Sequence, residues 1–368
     1  MKVKIFGAGS VGNHLANACR FMGWDVLVCD IDKEALVRMK QEIYPSRYGK
    51  WDEAIKLFTV EEAPKEDFDI IIIGTPPDSH MDLAIDAIKE SKPRLMLVEK
   101  PLSTPSLERC QELYDLVKDT DIIVCVGYNH ILGKNTLEAE KILKSGIIGN
   151  ALTMEAGFRE YWGGIFLAHP WLSGPQDSYL GFFDRGGGAS GEHSHATNLW
   201  QHFAHILKRG RIVEVTAVMD IIDDDTVKYD RVYNLAVRTE KGFMGTIIQD
   251  VVTEPTNKKL RVQGESGFLE WYVGYQKNRH AVVYAEKGKK ITEKLLPSTR
   301  PEDFILEIKH LEDLIEGKTK KENSPIRIER GLNTMLVIAA AHLSNKTKKT
   351  VFIDYSKGYT KNSLTDVG

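Results

Sequence analysis

A short apolar strand candidate, Val3–Phe6, runs directly into Gly7-Ala8-Gly9-Ser10-Val11-Gly12, and the residues that follow take up helical spacing. Glycines at those spacings answer three needs of a chain that receives a diphosphate. Gly7 permits a tight turn, Gly9 lets the backbone approach an anion, and Gly12 lets the new helix lie against the sheet. Ser10 and Val11 then sit in the first helical turn, whose free N–H groups and dipole attract phosphate. The spacing alone is weak, but the setting strengthens it: a strand before, a helix after, and an acid closing the next strand candidate, Val26–Asp30. Asp30 stands where a carboxylate accepts both ribose hydroxyls and repels a 2′-phosphate, and no arginine follows it immediately. NAD is therefore expected rather than NADP. Asp32 competes for that role, although its position suits a helix cap better.

Up to about residue 130 the pattern is consistent with this start. Val/Ile/Leu-rich runs without alternation (Asp69–Ile73, Leu95–Val98, Ile122–Val126) are separated by amphipathic segments near Val11–Phe21, Lys33–Gln41, Asp78–Lys89 and Leu107–Val117. Strands covered on both faces read this way, and strict β-α-β alternation predicts a doubly wound parallel sheet. Asp78 or Ser79, after Pro76-Pro77, is placed to cap the third helix. Tyr44–Ala63 is less clear and is expected to hold one short helix and one strand.

Beyond Ala151 the strands lengthen and begin to alternate: Leu152–Phe158, Val213–Met219, Arg231–Arg238, Gly242–Val251, Lys259–Gln263 and Phe268–Tyr272. Turn-like pieces at 239–242 and 264–267 join consecutive strands, which predicts an antiparallel, open sheet. Helical patterns near Lys134–Leu143, His195–Leu207, Pro301–Ile315 and Ile328–Leu343 make this second part α/β as well. The organisation expected is a Rossmann domain over 1–130, a substrate-binding and oligomerisation domain over 131–355, and a loose tail over 356–368. The late helices and a strand at Val351–Ile353 are expected to pack back on the first domain.

Composition excludes more than it selects. A formal net charge of -3 over 368 residues gives no footprint for nucleic acid or anionic lipid. No stretch has the apolar length of a membrane span. The start enters a strand at once, so no signal peptide is expected. Cys19, Cys29, Cys110 and Cys125 lie in apolar segments without a CxxC pair, as in proteins of a reducing compartment, and a cytoplasmic location is expected.

At Glu99-Lys100-Pro101-Leu102 the chain resembles the Gfo/Idh/MocA oxidoreductases, enzymes acting mostly on sugars, sugar nucleotides and cyclitols. Further matching pieces are Gly7–Gly12, Thr75-Pro76-Pro77-Asp78-Ser79-His80, Gly127-Tyr128-Asn129, the run Gly186–Asn198 and the hairpin Arg261–Glu270. The resemblance extends to about Ile353. It implies that Thr75, Pro76, His80, Glu99 and Asn129 help to hold the nicotinamide half of NAD. Lys100 would contact the reacting oxygen of the substrate, although a lysine at the lip of a strand otherwise serves solubility. The Lys100–Pro101 bond is a candidate cis bend.

Most members of that family carry an Asp, a His four residues later and an Asp three residues after that. Here Gly191 stands four before His195, Glu192 three before it, and Asn198 in the last position. His195 would be the general acid/base, with His193 as the alternative, and Glu192 an orienting or substrate-binding carboxylate. Asn198 could hydrogen-bond a hydroxyl but cannot carry the family's negative charge. His202 and His205 fit a polar helix face, and no metal is expected, because flanking cysteines and a His-Glu-x-x-His pattern are lacking.

The segment after Phe158 mixes aromatic and polar groups, among them Arg159, Tyr161, Trp162, His169, Trp171 and Tyr179. Such a mixture suits a sugar, apolar on its C–H face and polar at its rim, and equally suits a packed lid. Arg159, Tyr161 and Trp171 are the substrate candidates beside Lys100, Glu192, His195 and Asn198. The reading is an NAD-dependent dehydrogenase acting on a secondary alcohol or ketone of a sugar-like small molecule, assembled as a homo-oligomer. Two alternatives stay open: an NAD-retaining epimerase, eliminase or glycosidase, and a non-catalytic NAD-binding sensor.

Overall fold

The computed structural model describes all residues except 66, 168, 170 and 368. The first half runs β1 (Lys2–Phe6), α1 (Ser10–Phe21), β2 (Asp25–Asp30), α2 (Lys33–Arg38), α3 (Tyr44–Tyr48), β3 (Lys56–Thr59), β4 (Ile70–Ile73), α4 (His80–Ser91), β5 (Leu95–Val98), α5 (Cys110–Val117) and β6 (Ile123–Val126). The second half begins with α6 (Lys134–Lys144), β7 (Ala151–Arg159), α7 (Gly163–Leu167), α8 (Gly188–Glu192) and α9 (His195–Ile206). Seven strands follow: β8 (Ile212–Asp223), β9 (Lys228–Thr239), β10 (Met244–Asp250), β11 (Asn257–Gly264), β12 (Gly267–Gln276), β13 (Arg279–Glu286) and β14 (Thr292–Pro297). The chain closes with α10 (Arg300–Ile315), α11 (Ile328–Thr347), β15 (Thr350–Ile353) and β16 (Leu364–Val367).

The first sheet is six-stranded and parallel, in the order β3-β2-β1-β4-β5-β6. Every residue of β4 and β5 is buried, which explains their uniformly apolar sequences. The chain turns outward in opposite directions from β1, so a crevice opens at the carboxyl ends of β1 and β4, where ligands of such sheets bind. Two glycines make this junction possible. Gly7 has φ +105°, and a Cβ there would lie 2.6 Å from the Gly74 carbonyl oxygen; one on Gly12 would lie 1.9 Å from that of Gly7. Asp32 caps α2, its side chain accepting from the Glu34 N–H at 2.9 Å. Asp78 and Ser79 do not cap α4: Asp78 accepts from Arg185, and the Ser79 hydroxyl donates to the Pro76 carbonyl.

The second sheet has ten strands in the order β14-β13-β12-β11-β7-β10-β9-β8-β15-β16. All its pairings are antiparallel except β7 with β10. β9 alternates buried and exposed residues over much of its length, the signature of a sheet covered on one face. Helices α6, α9 and α11 supply that cover. The opposite face carries ion pairs such as Lys259–Glu155 and Arg238–Glu214.

Two expectations change here. Residues beyond 356, read from sequence as a loose tail, include β16, which pairs with β15 over Thr350–Ile353. Val351–Ile353 does not return to the first sheet but joins the second through β8. Helices α10 and α11 do pack back, α10 on α1 and α11 on β6. All four cysteines are free and buried, and among the described residues no helix is long and apolar enough to cross a membrane.

Candidate active site

A cleft of about 860 Å³ lies between the carboxyl ends of the first sheet and the helical side of the second. At one end Gly9, Ser10 and Val11 open α1, and the space where a Gly9 side chain would project is free of atoms to 4 Å. A diphosphate can therefore approach the backbone there, and the cradle fits the dinucleotide that the glycine spacing implies. Asp30 holds the turn from behind, accepting from Ala8 N–H at 2.8 Å and from Asp32 N–H at 2.9 Å.

Two arginines face the same end. Arg47 reaches over from α3 and donates to the Ser10 carbonyl at 2.8 Å and to its hydroxyl at 2.7 Å. Arg300 opens α10 and lies 5.3 Å above the Phe304 ring. Both line the cleft, and among the described residues neither makes an ion pair within 4.0 Å, although Asp303 and Glu99 feel the charge of Arg300. His14 stacks on Phe304 at 4.7 Å beside them, and burial, with Arg47 nearby, pushes its imidazole down to about 3.

In the middle of the cleft stand Thr75, Pro76, Glu99, Lys100 and Asn129. Glu99 is 6% exposed and accepts from the Lys100 N–H at 3.1 Å; a Cβ on Gly127 would lie 2.8 Å from its carboxyl. Burial pushes the Glu99 carboxyl up to about 7 against the pull of Lys100. The Lys100–Pro101 bond is cis. Lys100 Nζ donates to Glu192 twice, to the main-chain carbonyl at 3.0 Å and to the carboxylate at 3.1 Å. The nearby Lys100 charge and hydrogen bond outweigh the burial of Glu192 and hold its carboxyl below the usual range.

The far wall comes from β7, β11 and the break between α8 and α9. His195 stacks at 6.0 Å from Phe158 and meets His130 edge-on at 4.6 Å. His195 Nδ1 and His193 Nε2 are both buried without a hydrogen-bond partner. Burial pushes His195 well below its usual value and His193 down to about 4, so both imidazoles are neutral near pH 7 and able to accept a proton. Trp171 and Tyr179 close the rim.

The structure thus brings Gly9, Ser10, Val11, Thr75, Pro76, Glu99, Lys100, Asn129, Trp171, Glu192 and His195 to one cleft. Gly7, Gly12 and Asp30 build the turn beneath the cleft without lining it, and four further residues expected there are elsewhere. His80 is fully buried with Nδ1 3.1 Å from the Pro101 carbonyl and Nε2 2.8 Å from that of Thr75, so it braces two loops and has no nitrogen left for a cofactor. Arg159 points away from Phe158 by strand alternation, and its guanidinium is taken by Asp250 at 2.6 Å. Tyr161 is 51% exposed and outside the cleft. Asn198 is buried one turn beyond His195 and donates to the Thr334 hydroxyl at 3.1 Å.

Glu160 and Lys258, paired at 2.6 Å, take the place expected for Arg159. Period-two alternation from Phe158 would have selected Glu160. Arg47 and Arg300 carry no local signal, because tertiary packing alone brings them to the glycine turn.

Fold and cleft together define a two-domain dinucleotide-binding protein. A family model described as "Oxidoreductase family, NAD-binding Rossmann fold" matches residues 1–128, and one described as "GFO/IDH/MocA C-terminal domain" matches 136–270. The chain belongs to the Gfo/Idh/MocA oxidoreductase family, and its first domain is that family's NAD-binding domain. A scyllo-inositol 2-dehydrogenase (NAD(+)) of Bacillus subtilis (strain 168) is 24% identical over 98% of both chains. A glycosyl hydrolase family 109 protein of Shewanella pealeana is 25% identical over 43% of this chain. The match spans 35% of that relative, and 24% of an oxidoreductase from Schizosaccharomyces pombe. An oxidoreductase from Agrobacterium radiobacter, solved in complex with NAD+, L-tartaric acid and magnesium, has the same fold with TM-score 0.75, 18% identity and coverage of 96% and 98% of the two chains.

Proposed function

We propose that this protein is an NAD-dependent dehydrogenase that oxidises a secondary alcohol of a sugar or cyclitol. The observation that carries this reading is the convergence of Lys100, Glu192, His193 and His195 on the cleft that also exposes the Gly9–Val11 turn. When bound, NAD supplies the hydride acceptor; the remaining chemistry belongs to the chain. Gly9, Ser10 and Val11 receive the diphosphate, while Arg47 and Arg300 supply the countercharge. Asp30 fixes the turn, and the lone pairs its two oxygens retain would accept from the adenosine ribose. Glu99 and Asn129 shape the nicotinamide end.

A neutral imidazole takes the proton from the substrate hydroxyl, and His195, set among Phe158, Tyr128 and His130, is the residue assigned to it. The ammonium of Lys100 stabilises charge developing on the same oxygen. Glu192 orients Lys100 and accepts from neighbouring substrate hydroxyls. Trp171 and Tyr179 offer aromatic faces at the rim, which suits the C–H face of a polyol ring.

A second reading rests on the partial similarity to a glycosyl hydrolase: oxidation is transient, NAD stays bound, and glycoside cleavage is the outcome. One experiment separates the two. Purified protein with NAD is screened against inositols, free sugars and UDP-, GDP- and CMP-sugars, following nicotinamide absorbance and product. Net NADH with ketone product supports the dehydrogenase; product without net NADH supports the second reading. NAD binding without turnover on any member of the panel would defeat both.

A further inference from the structure

Away from the cofactor cleft, α9, α11 and the residues leading into β8 enclose a second cavity of about 190 Å³. A single water needs roughly 10–15 Å³, so the space admits a small molecule. Its lining is polar: Asn198, Gln201, His202 and His205 from α9, and Arg330 and Asn333 from α11. Three atoms in this lining, Asn198 Oδ1, Asn333 Oδ1 and Arg330 Nε, are shut off from solvent with no hydrogen-bond partner. Native interiors seldom leave such groups unmet, because each costs free energy.

The amide orientation of Asn198 is fixed by its neighbours. The Thr334 hydroxyl donates to the Arg330 carbonyl at 3.0 Å, so it must accept from the Nδ2 of Asn198 and the Nε2 of Gln201, each 3.1 Å away. Asn198 Oδ1 is therefore an acceptor in need of a donor, on a side chain only 3% exposed.

The charges around the cavity do not cancel. Arg211 is paired with Glu240 at 2.7 Å, and Arg327 with Glu329 at 3.3 Å. His202 rests on Glu140, and burial, with Arg330 nearby, pushes His205 down to about 4, which leaves it neutral. Arg330 makes no side-chain hydrogen bond or ion pair among the described residues. One positive charge is left over, together with two amide oxygens that want hydrogen. Water alone satisfies the oxygens and leaves the charge; a cation adds to it; an apolar ligand satisfies nothing.

We propose that this cavity is a binding site for a small, singly charged oxyanion that also carries an O–H group, bound through Arg330 and the amides of Asn198 and Asn333. Monobasic phosphate and hydroxycarboxylates share this chemistry. Asn198 ends the family's motif run, but neither motif nor resemblance gives it this role, and the site does not depend on the reaction proposed above.

The test is thermal unfolding of the full chain, wild type against Arg330→Met and Asn333→Ala. Buffers contain chloride, inorganic phosphate or glycolate at matched ionic strength and pH 6.5. In chloride, Arg330→Met is expected to melt at or above the wild type, because an unpaired, half-buried charge has gone. Phosphate, glycolate or both raise the wild-type midpoint saturably, and Arg330→Met requires at least about tenfold more for the same rise. Asn333→Ala lies between and serves if Arg330→Met does not fold. A response to phosphate alone marks a phosphoryl ligand, and to glycolate alone a hydroxy acid. Equal responses in wild type and variants, or none beyond chloride, would overturn the proposal. The cofactor cleft also attracts anions, but it is the same in all three proteins, so the difference between them reports this cavity alone.

Discussion

Replacing Lys100 with methionine keeps most of the side-chain volume and removes the ammonium that holds Glu192. Both side chains are largely buried, at 13% and 21% exposure, so Glu192 would keep a charge in a poorly hydrated place without its partner. Breaking such a pair from one side costs about 3 kcal/mol. The cost is pH-dependent, and its sign follows from the carboxyl. In the wild type Lys100 holds the Glu192 carboxyl below its usual value of 4.5; in the variant that pull is gone, and burial, opposed only by His193 and Lys258, raises it. The penalty is then absent below about pH 4.5 and grows as pH rises through the raised pKa. Urea unfolding at pH 5 and pH 8 should show a deficit several times larger at pH 8. The double variant Lys100→Met/Glu192→Gln should recover most of that difference. Turnover should fall at least ~10²-fold while NADH binding, read by fluorescence, persists. An equal deficit at both pH values would refute the buried pair, and near-native turnover would remove Lys100 from the chemistry.

Three further outcomes follow from the same geometry. His195→Asn should lower turnover at least ~10²-fold with cofactor binding intact, and His193→Asn less; the reverse order in steady-state kinetics would make His193 the proton acceptor. Arg47→Met should weaken NADH and ADP-ribose alike by about 1.5–3 kcal/mol, roughly tenfold or more, with little effect on adenosine; an unchanged ADP-ribose affinity would place Arg47 outside the diphosphate site. Glu307 is fully buried with neither carboxylate oxygen hydrogen-bonded, and burial, with Glu99 nearby, raises its pKa well above 4.5. Its protonated form favours the fold, so this contribution is present at low pH and lost as pH rises. Glu307→Gln should match the wild type at pH 5 and exceed it at pH 9 in urea midpoint; a constant gap would show that the carboxyl does not titrate there.

The first sheet is readable because its central strands, buried on both faces, are written in apolar residues, mostly Val, Ile and Leu, and because Gly7 and Gly12 meet backbone that leaves no room for a side chain. Lys100, Glu192 and His195 were found through motif resemblance and brought together by the fold. His80 belongs to the same motif yet serves as a brace, since a motif records which residues recur but not which way they face. Arg159 is a candidate by its place in a mixed aromatic and polar segment, where alternation from Phe158 points to Glu160. Arg47 and Arg300 could not be read at all, because their importance arises from the approach of α3 and α10 to α1, contacts distant in sequence. The segment from Lys361 is polar and short, so its pairing as β16 is decided by the free edge of β15 rather than by its own propensity.

Helix α10 follows the last strands of the large sheet yet rests on α1, with Phe304 stacked on His14 and Leu311 and Ile308 fully buried. The two halves are therefore interleaved rather than joined end to end. A fragment cut at residue 130 would keep the glycine turn but lose Arg300, the ring that stacks on His14 and the helix covering an apolar flank. Helix α11 rests on both β6 and β8, so swinging the halves apart to release a nucleotide would have to break that packing, and the cleft's width is set by a packed helix and not by a free hinge.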